Sequence, residues 1–174
     1  MSIVTLVGNP RAGSRTREVA VAAAEAVGRR IDDDAAAGEV VDLSAAFGRH
    51  LLSPDPPAEV KAALELVAGA GVLVVASPTY KGTYTGLLKA FLDRLPSGAL
   101  AGTVALPLLV MGDPRHALAV EVHLRPLLVE LGATVPTPGL ALVESDLPRL
   151  ADILAGWADR TAPQIVAIKE GASR

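Results

Sequence analysis

The chain has 174 residues, of which 51% are hydrophobic and 3% are aromatic, and its formal net charge at pH 7 is −3. This length predicts one domain over residues 1–174 with a substantial core, and the composition excludes a disordered chain. The slight acidity argues against a nucleic-acid-binding protein, because no excess of Lys and Arg is available to neutralise phosphates. No apolar run approaches the ~20 residues that span a bilayer.

The residue types also bear on compartment and assembly. No cysteine is present, which excludes disulfides and thiol catalysis. A strand-like run begins directly after Ser2, without the basic segment and apolar core of a signal peptide. We therefore expect a cytoplasmic protein that binds neither membrane nor nucleic acid. A core of small aliphatic residues tends to leave apolar helix faces uncovered in a monomer, which favours a homodimer or homotetramer.

Strand-like apolar runs alternate with helical patterns along the chain. Strands are predicted at Ile3–Val7, Glu39–Leu43, Val72–Ala76, Thr103–Val110 and within Val135–Val143. Helices are predicted at Arg15–Arg30, Ala58–Ala68, Tyr84–Leu95, Arg115–Leu131 and from Pro148 through Ala158 and beyond, with a turn at Asp32–Gly38 and a long loop at Ser44–Pro57. This alternation predicts an α/β protein, a flavodoxin-like three-layer sandwich whose five-stranded parallel sheet has the order 2-1-3-4-5.

Two prolines conflict with this pattern. Pro107 lies inside the fourth strand, which is expected to be interior and to need its amide donors, so we predict a bulge before Met111. Pro126 lies well inside the fourth helical pattern. Two interpretations stay open there: a kink or π-bulge near Val122 and His123, or two shorter helices that meet at Arg125.

The turn after the first strand has the features of an anion site. Gly8 permits a tight turn, and the segment from Gly13 to Thr16 opens the first helix, whose free N–H groups and dipole attract a phosphate. Ser14 and Thr16 add hydroxyl donors, and Arg15 adds a charge-assisted contact. Neither G-x-x-x-x-G-K-[ST] nor G-x-G-x-x-G is present, so a monophosphate fits better than a nucleoside triphosphate or a dinucleotide. The alternative is that Ser14 is an ordinary N-cap and the arginines are surface charges.

A second turn rich in Pro, Gly and small hydroxyl residues, Ser77–Gly82, follows the continuously apolar run Val72–Ala76. An apolar run without polar alternation is typical of an interior parallel strand. Ligands bind beyond the carboxyl ends of strands in open α/β sheets, so this turn and the first one are expected to form one site.

Taken together, these residues resemble the NADPH-dependent FMN reductase family of flavodoxin-like proteins, most closely the branch that serves two-component alkanesulfonate monooxygenases. The resemblance covers residues 3–145. The matching segments are Gly8-Asn9-Pro10-Arg11, Ser14-Arg15-Thr16, Ser77-Pro78-Thr79-Tyr80-Lys81-Gly82-Thr83-Tyr84, Gly86-Leu87-Leu88-Lys89, Leu92-Asp93, Leu95-Pro96, Ala99-Leu100-Ala101-Gly102, Leu106-Pro107-Leu108 and Leu124-Arg125-Pro126.

The resemblance implies two sets of cofactor-binding residues. Those near the FMN phosphate are Ser14, Arg15 and Thr16, with Arg11 able to reach the same anion. Those along or bordering the flavin ring are Pro78, Thr79, Tyr80, Lys81 and Gly82, with Met111, Gly112 and Asp113 at the margin. Close backbone approach to a flat ring is the reason we give for Gly82 and Gly112. Structural roles stay open for Pro78 as a strand terminator, for Tyr80 as a packing residue and for Met111 as a gap filler.

The resemblance implies hydride transfer from NADPH or NADH to FMN, with reduced flavin supplied to a partner monooxygenase. Such transfer needs aligned rings and no catalytic side chain, and we predict none. His50, His116 and His123 lack metal-ligand spacing, so we expect no metal. In the resembled branch the fourth helix packs in a tetramer core near the flavin, so changes at Val122 and His123 are expected to alter FMN retention. Rival functions are an FMN-containing quinone or azo reductase, a non-catalytic flavodoxin-type electron carrier, and a partner protein that has lost flavin.

Overall fold

The protein forms a five-stranded parallel sheet with helices on both faces, as seen in a computed structural model that describes residues 1–31, 38–44 and 48–171. The strands are β1 (Ile3–Val7), β2 (Glu39–Asp42), β3 (Val72–Pro78), β4 (Val104–Met111) and β5 (Leu140–Val143). The helices are α1 (Arg15–Ile31), α2 (Ala58–Ala68), α3 (Gly86–Leu92), α4 (Arg125–Glu130) and α5 (Leu150–Gly171), with 3₁₀ turns at Pro114–His116 and Glu144–Arg149 and a π-helix at Val120–Leu124.

The strand order is β2-β1-β3-β4-β5, and every neighbouring pair is parallel, which confirms the predicted sheet. Residues 32–37 of the predicted turn and residues 45–47 of the predicted long loop lie outside the described residues. No helix in the described ranges has the length and apolar character needed to span a membrane.

The core lies in two layers, one on each face of the sheet. Side chains that alternate along β1 separate between them: Val4 and Leu6 join the layer under α2, α3 and α4, whereas Ile3 and Val7 join the layer under α1 and α5. All five β1 residues and all seven β3 residues are buried. Burial on both faces explains why these strands appear in the sequence as continuous apolar runs.

The predicted bulge at Pro107 is wrong. The ladder between β3 and β4 runs one residue to one residue through Val75 and Pro107. Ala105 donates its N–H to Thr134 O at 2.9 Å, on the β5 side of the strand. Residue 107 faces the same side, because backbone groups two positions apart in a strand point the same way. Pairing with β5 begins only at Leu108, so the missing amide of Pro107 leaves no ladder bond unmade.

The fourth helical segment combines both open interpretations. A π-helix occupies Val120–Leu124, at the predicted position, and α4 then begins at Arg125 with Pro126 in its first turn, where proline is tolerated. The 3₁₀ turn Pro114–His116 replaces the predicted helix start at Arg115.

A charged pair holds this segment against the chain that enters β5. Glu121 accepts from Arg125 Nε at 2.6 Å through Oε2 and from the Gly139 N–H at 2.5 Å through Oε1. Arg125 also donates to the carbonyl oxygens of Val135, at 2.7 Å, and Thr137. Burial raises the pKa of Glu121, but the hydrogen bonds from Arg125 and Gly139 outweigh that effect, and the resulting pKa lies below the usual value.

Candidate functional site

A cleft lies at the carboxyl edge of the sheet. Its volume of about 430 Å³ is within the range of small-molecule pockets. It opens between the turn after β1, the turn after β3 and the residue that follows β5. Its lining residues are Asn9, Arg11, Ala12, Gly13, Ser14, Arg15, Thr16, Pro78, Tyr80, Val110 and Glu144. The structure therefore brings the two rich turns together, as the sheet topology requires.

The predicted site residues divide according to where the structure places them. Those lining the cleft are Arg11, Ser14, Arg15, Thr16, Pro78 and Tyr80. Those beside it in the second turn or after β4 are Thr79, Lys81, Gly82, Gly112 and Asp113. The side chain of Met111 is buried in the core layer under α2, α3 and α4, as the gap-filling alternative had it. The cofactor contacts of all twelve stay predictions.

Five lining residues were missing from the predicted set: Asn9, Ala12, Gly13, Val110 and Glu144. Asn9 had a sequence signal, because it follows Gly8 in the same turn. Glu144 had only its place directly after the last strand, which says little without the sheet order.

Asn9 organises the first turn. Its Oδ1 accepts the Arg11 N–H at 2.9 Å, and its Nδ2 donates to Thr16 Oγ1 at 3.1 Å. Gly13 has a φ of +60°, a conformation that favours glycine. Ser14 caps α1 by accepting the Arg17 N–H at 3.3 Å, so the N-cap alternative holds for its hydroxyl.

The first two N–H groups of α1 have no intrahelical acceptor, as at every helix start. They belong to Arg15 and Thr16, and no described residue accepts from them. These donors and the positive end of the helix dipole face the cleft, which suits a phosphate monoester.

The second turn is a tight hairpin. The N–H of Tyr80 donates to Thr83 O at 2.8 Å, and the two central residues, Lys81 and Gly82, have φ values of +53° and +83°. Both positive values identify a type I′ turn. Lys81 is the only non-glycine residue with positive φ in the described chain. A Cβ on Gly82 would meet no protein atom within 4 Å, so within the protein the positive φ accounts for this glycine. Its close approach to a flavin ring stays a prediction.

A buried hydrogen-bond network joins the two turns. Thr85 donates its hydroxyl to Gly8 O at 2.5 Å, and its own N–H donates to Ser77 Oγ at 3.0 Å. The same hydroxyl caps α3 by accepting the Leu88 N–H at 3.1 Å. A Cβ on Gly8 would lie 2.5 Å from Leu88 Cβ, so the first turn needs glycine for the close approach of α3. The cleft walls are thus held relative to each other before any ligand binds.

Charged side chains around the cleft differ in whether they have a hydrogen-bond or ion-pair partner within the protein. Arg15 Nη1 lies 2.8 Å from Glu144 Oε2 across the cleft. Arg115 donates twice to Asp113 Oδ2, and these hydrogen bonds, with the backbone N–H of Arg115, lower the pKa of Asp113 to about 2. The Arg11 guanidinium has no hydrogen bond or ion pair with another described residue. The cleft therefore offers cationic and N–H donors to one anion.

These groups fit FMN. Free helix N–H groups and two arginines suit its phosphate, and the exposed Tyr80 supplies a flat surface for its ring. The Oγ1 of Thr79 is buried in the second turn and has no hydrogen-bond partner among the described residues. Among the residues that the structure describes, no group of three or more acidic or imidazole side chains could hold a metal ion.

Two other cavities are less suited to a phosphate. A groove of about 440 Å³ runs between edge strand β2 and α2, and its lining contains Glu39 and Asp42 but no Lys or Arg. A cavity of about 620 Å³ lies beside Leu140, at the amino end of β5, opposite the edge where parallel α/β sheets bind ligands.

The strand order and the cleft define a flavodoxin-like protein with an anion-accepting site. The family model described as NADPH-dependent FMN reductase matches residues 1–147. FMN reductase (NADPH) of Pseudomonas aeruginosa is 34% identical over 144 residues, which cover 83% of this chain and 77% of the relative. NADH-dependent FMN reductase SfnF of Pseudomonas fluorescens is 32% identical over 146 residues, or 84% of this chain and 78% of the relative.

Solved structures agree with this relationship. An NADH:FMN oxidoreductase (EMOB) in its apo form is 37% identical with a TM-score of 0.82, and the match covers 91% of this chain and 87% of that one. An oxidoreductase from Corynebacterium diphtheriae is 26% identical with a TM-score of 0.83, over 96% and 98% of the two chains. The chain belongs to the NADPH-dependent FMN reductase family. It is an oxidoreductase that uses FMN and a nicotinamide nucleotide, as predicted.

Proposed function

We propose that this chain takes up free FMN, reduces it with NADPH or NADH and releases the reduced flavin to a partner monooxygenase. The observation that carries this proposal is the single cleft in which the α1 start and the Tyr80 turn face each other. Relatives named after NADPH and after NADH support either nucleotide as the donor. Supply of the reduced flavin to a monooxygenase is what the sequence resemblance implies.

The roles of the residues follow from their positions. Bound FMN supplies the ring that accepts hydride from the nicotinamide. Arg11, Arg15 and the N–H groups at the α1 start would hold the phosphate. Tyr80, with the Lys81–Gly82 turn beside it, would orient the flavin ring and leave the open side of the cleft to the nicotinamide. No side chain has to move a proton for this transfer, so the protein would contribute alignment of the two rings.

Steady-state oxidation of NADPH and NADH with free FMN varied tests this function. Saturable dependence of the rate on added FMN is the expected result. Full activity from co-purified flavin with a quinone or azo acceptor, and none with free FMN, would instead identify a quinone or azo reductase. Flavin that stays bound without nicotinamide oxidation would identify an electron carrier, and absence of any flavin binding would refute all three.

We also propose a homo-oligomer formed through the π-helix segment. Leu118, Val122 and Val129 are exposed by 66%, 50% and 53%. Large apolar side chains exposed along one helical segment favour association with a second copy. The sequence predicts an interface through two apolar faces, Leu87-Leu88-Phe91 of the third helix and Leu118-Val122-Leu127-Leu128 of the fourth. Three of these residues cannot contribute, because Leu88, Phe91 and Leu128 are buried in the chain's own core. Dimer or tetramer, one-domain organisation and cytoplasmic location stay predictions from the sequence.

A further inference from the structure

Glu144 is an acidic residue inside a cleft that otherwise suits an anion. It is the first residue after β5, and it opens a 3₁₀ turn at the carboxyl edge of the sheet. No other Asp or Glu lines the cleft in the described part of the chain. Its Oε2 lies 2.8 Å from Arg15 Nη1, although 129 positions separate the two residues.

The ion pair with Glu144 engages the Arg15 guanidinium, which the flavin phosphate would also bind. Arg15 is the first residue of α1, next to the free N–H donors of the helix start. Its side chain is 63% exposed and that of Glu144 is 48% exposed, so water solvates both and the pair is weak enough to exchange partners. A phosphate at the helix start must either displace the Glu144 carboxylate from Arg15 or lie beside it, and both raise the free energy of the bound state.

We propose that Glu144 competes with the flavin phosphate for Arg15 and thereby weakens FMN binding. The inference rests on the proposed function and makes Glu144 a determinant of how readily FMN exchanges. A carboxylate at this position lets one anion replace another on the same guanidinium. Release of reduced FMN then re-forms an existing ion pair and leaves Arg15 with a partner.

The test compares dissociation constants of FMN and riboflavin for wild type and Glu144→Gln, measured by flavin fluorescence at low ionic strength. Gln keeps the size of Glu and one acceptor oxygen but replaces the other oxygen with an NH₂ donor and removes the charge. FMN affinity should increase about two- to five-fold, the range for an exposed ion pair, and riboflavin affinity should stay unchanged. The gain should shrink at about 0.5 M salt, because screening weakens exposed charges. Glu59→Gln, an exposed change in the first turn of α2, is the matched control and should alter neither constant.

A second comparison assigns the effect to Arg15. In an Arg15→Ala background, Glu144→Gln should leave FMN affinity unchanged, because the contested group is gone. Unchanged or weaker FMN binding in Glu144→Gln would overturn the inference, and so would equal tightening of riboflavin or an undiminished gain without Arg15. Failure of the proposed function gives a different result: wild type would then bind FMN and riboflavin equally or neither of them.

Discussion

Individual side chains at the cleft separate into those that hold the turns and those that face the ligand space. Asn9 and Thr85 are buried and hydrogen-bonded to the backbone of the two turns. The side chains of Arg11, Arg15 and Tyr80 are exposed and make no hydrogen bond that holds a turn. Changes at the first group should lower stability, whereas changes at the second should affect binding and turnover.

Arg15→Ala should weaken FMN binding by about 1.5 kcal/mol, or roughly ten-fold. This is the low end of the range for a hydrogen bond to a charged group, because the side chain is largely exposed and already paired with Glu144. Fluorescence titration with FMN and riboflavin measures it. Arg17→Ala is the control, since Arg17 pairs with Asp42 at 3.5 Å and does not line the cleft. Equal losses for FMN and riboflavin would contradict a phosphate contact.

Tyr80→Ala should lower kcat/KM for FMN by at least about ten-fold while changing the free energy of unfolding by less than about 0.5 kcal/mol. Tyr80 is exposed on the cleft wall, so its loss removes ring alignment but little packing. Steady-state kinetics and urea denaturation measure the two effects. Tyr84→Ala should show the reverse pattern, because Tyr84 is partly buried against the core. A stability loss without a kinetic change at Tyr80 would support the packing alternative.

Among the elements, the π-helix depends most on contacts outside itself. Its extra residue leaves the helical hydrogen bonds less regular, and Glu121 and Arg125 attach it to the segment before β5. Gly139 completes this contact: a Cβ there would lie 2.4 Å from Val120 Cγ2 and 3.1 Å from Pro107 Cγ. The π-helix, the glycine and the proline of β4 thus pack as one unit.

Glu121→Gln should destabilise the protein by about 1 kcal/mol at pH 7, and this difference should decrease as the pH falls below the unfolded pKa of Glu121. The folded-state pKa of Glu121 lies below its unfolded value. Its contribution is therefore complete above the unfolded pKa, near 4.3, and is lost as the pH falls through the folded pKa. Urea denaturation of both proteins between pH 3 and 7 measures this. Glu130→Gln, an exposed change at the end of α4, should not alter the pH profile. A constant difference between wild type and Glu121→Gln across this range would contradict the charge argument.

At the scale of the whole molecule, the exposed apolar side chains in and beside the π-helix, Leu118, Val122 and Val129, support the proposed oligomer. An interface through this face should bury at least about 1,000 Å² in total. The π-helix also packs on β4, whose end borders the cleft. We therefore expect association through this segment to affect FMN binding in the cleft.

Val122→Asp should therefore reduce the mass measured by light scattering at micromolar concentration from that of an oligomer to that of one chain. A charge buried in an apolar interface loses its hydration, which disfavours association. The same variant should alter FMN retention, measured by the flavin content after gel filtration. Leu52→Asp changes an exposed apolar residue of the 48–57 segment and should leave the mass unchanged. A wild-type protein that scatters as a monomer would refute the proposed oligomer.

The sequence by itself determined the sheet, because continuous apolar runs such as Val72–Ala76 are stable only when buried on both faces. It also determined the two turns, since helix starts and strand ends carry local signals such as Gly13-Ser14 and Ser77-Pro78. Helix ends were less well determined. The predicted start of α3 at Tyr84 moved to Gly86, because Thr85 caps the helix and the hairpin before it ends at Thr83.

Only the tertiary structure decided which side chains share the cleft. Arg15 and Glu144 meet because β1, β3, β4 and β5 end at one edge, which no local pattern encodes. The burial of Leu88 and Phe91 depended on how closely α3 approaches β1, and that approach depends on Gly8. Pro107 is accommodated without a bulge because the pairing of β4 with β5 begins one residue later, at Leu108. Local sequence fixes backbone preference and burial, whereas distances between remote side chains follow from strand order and register.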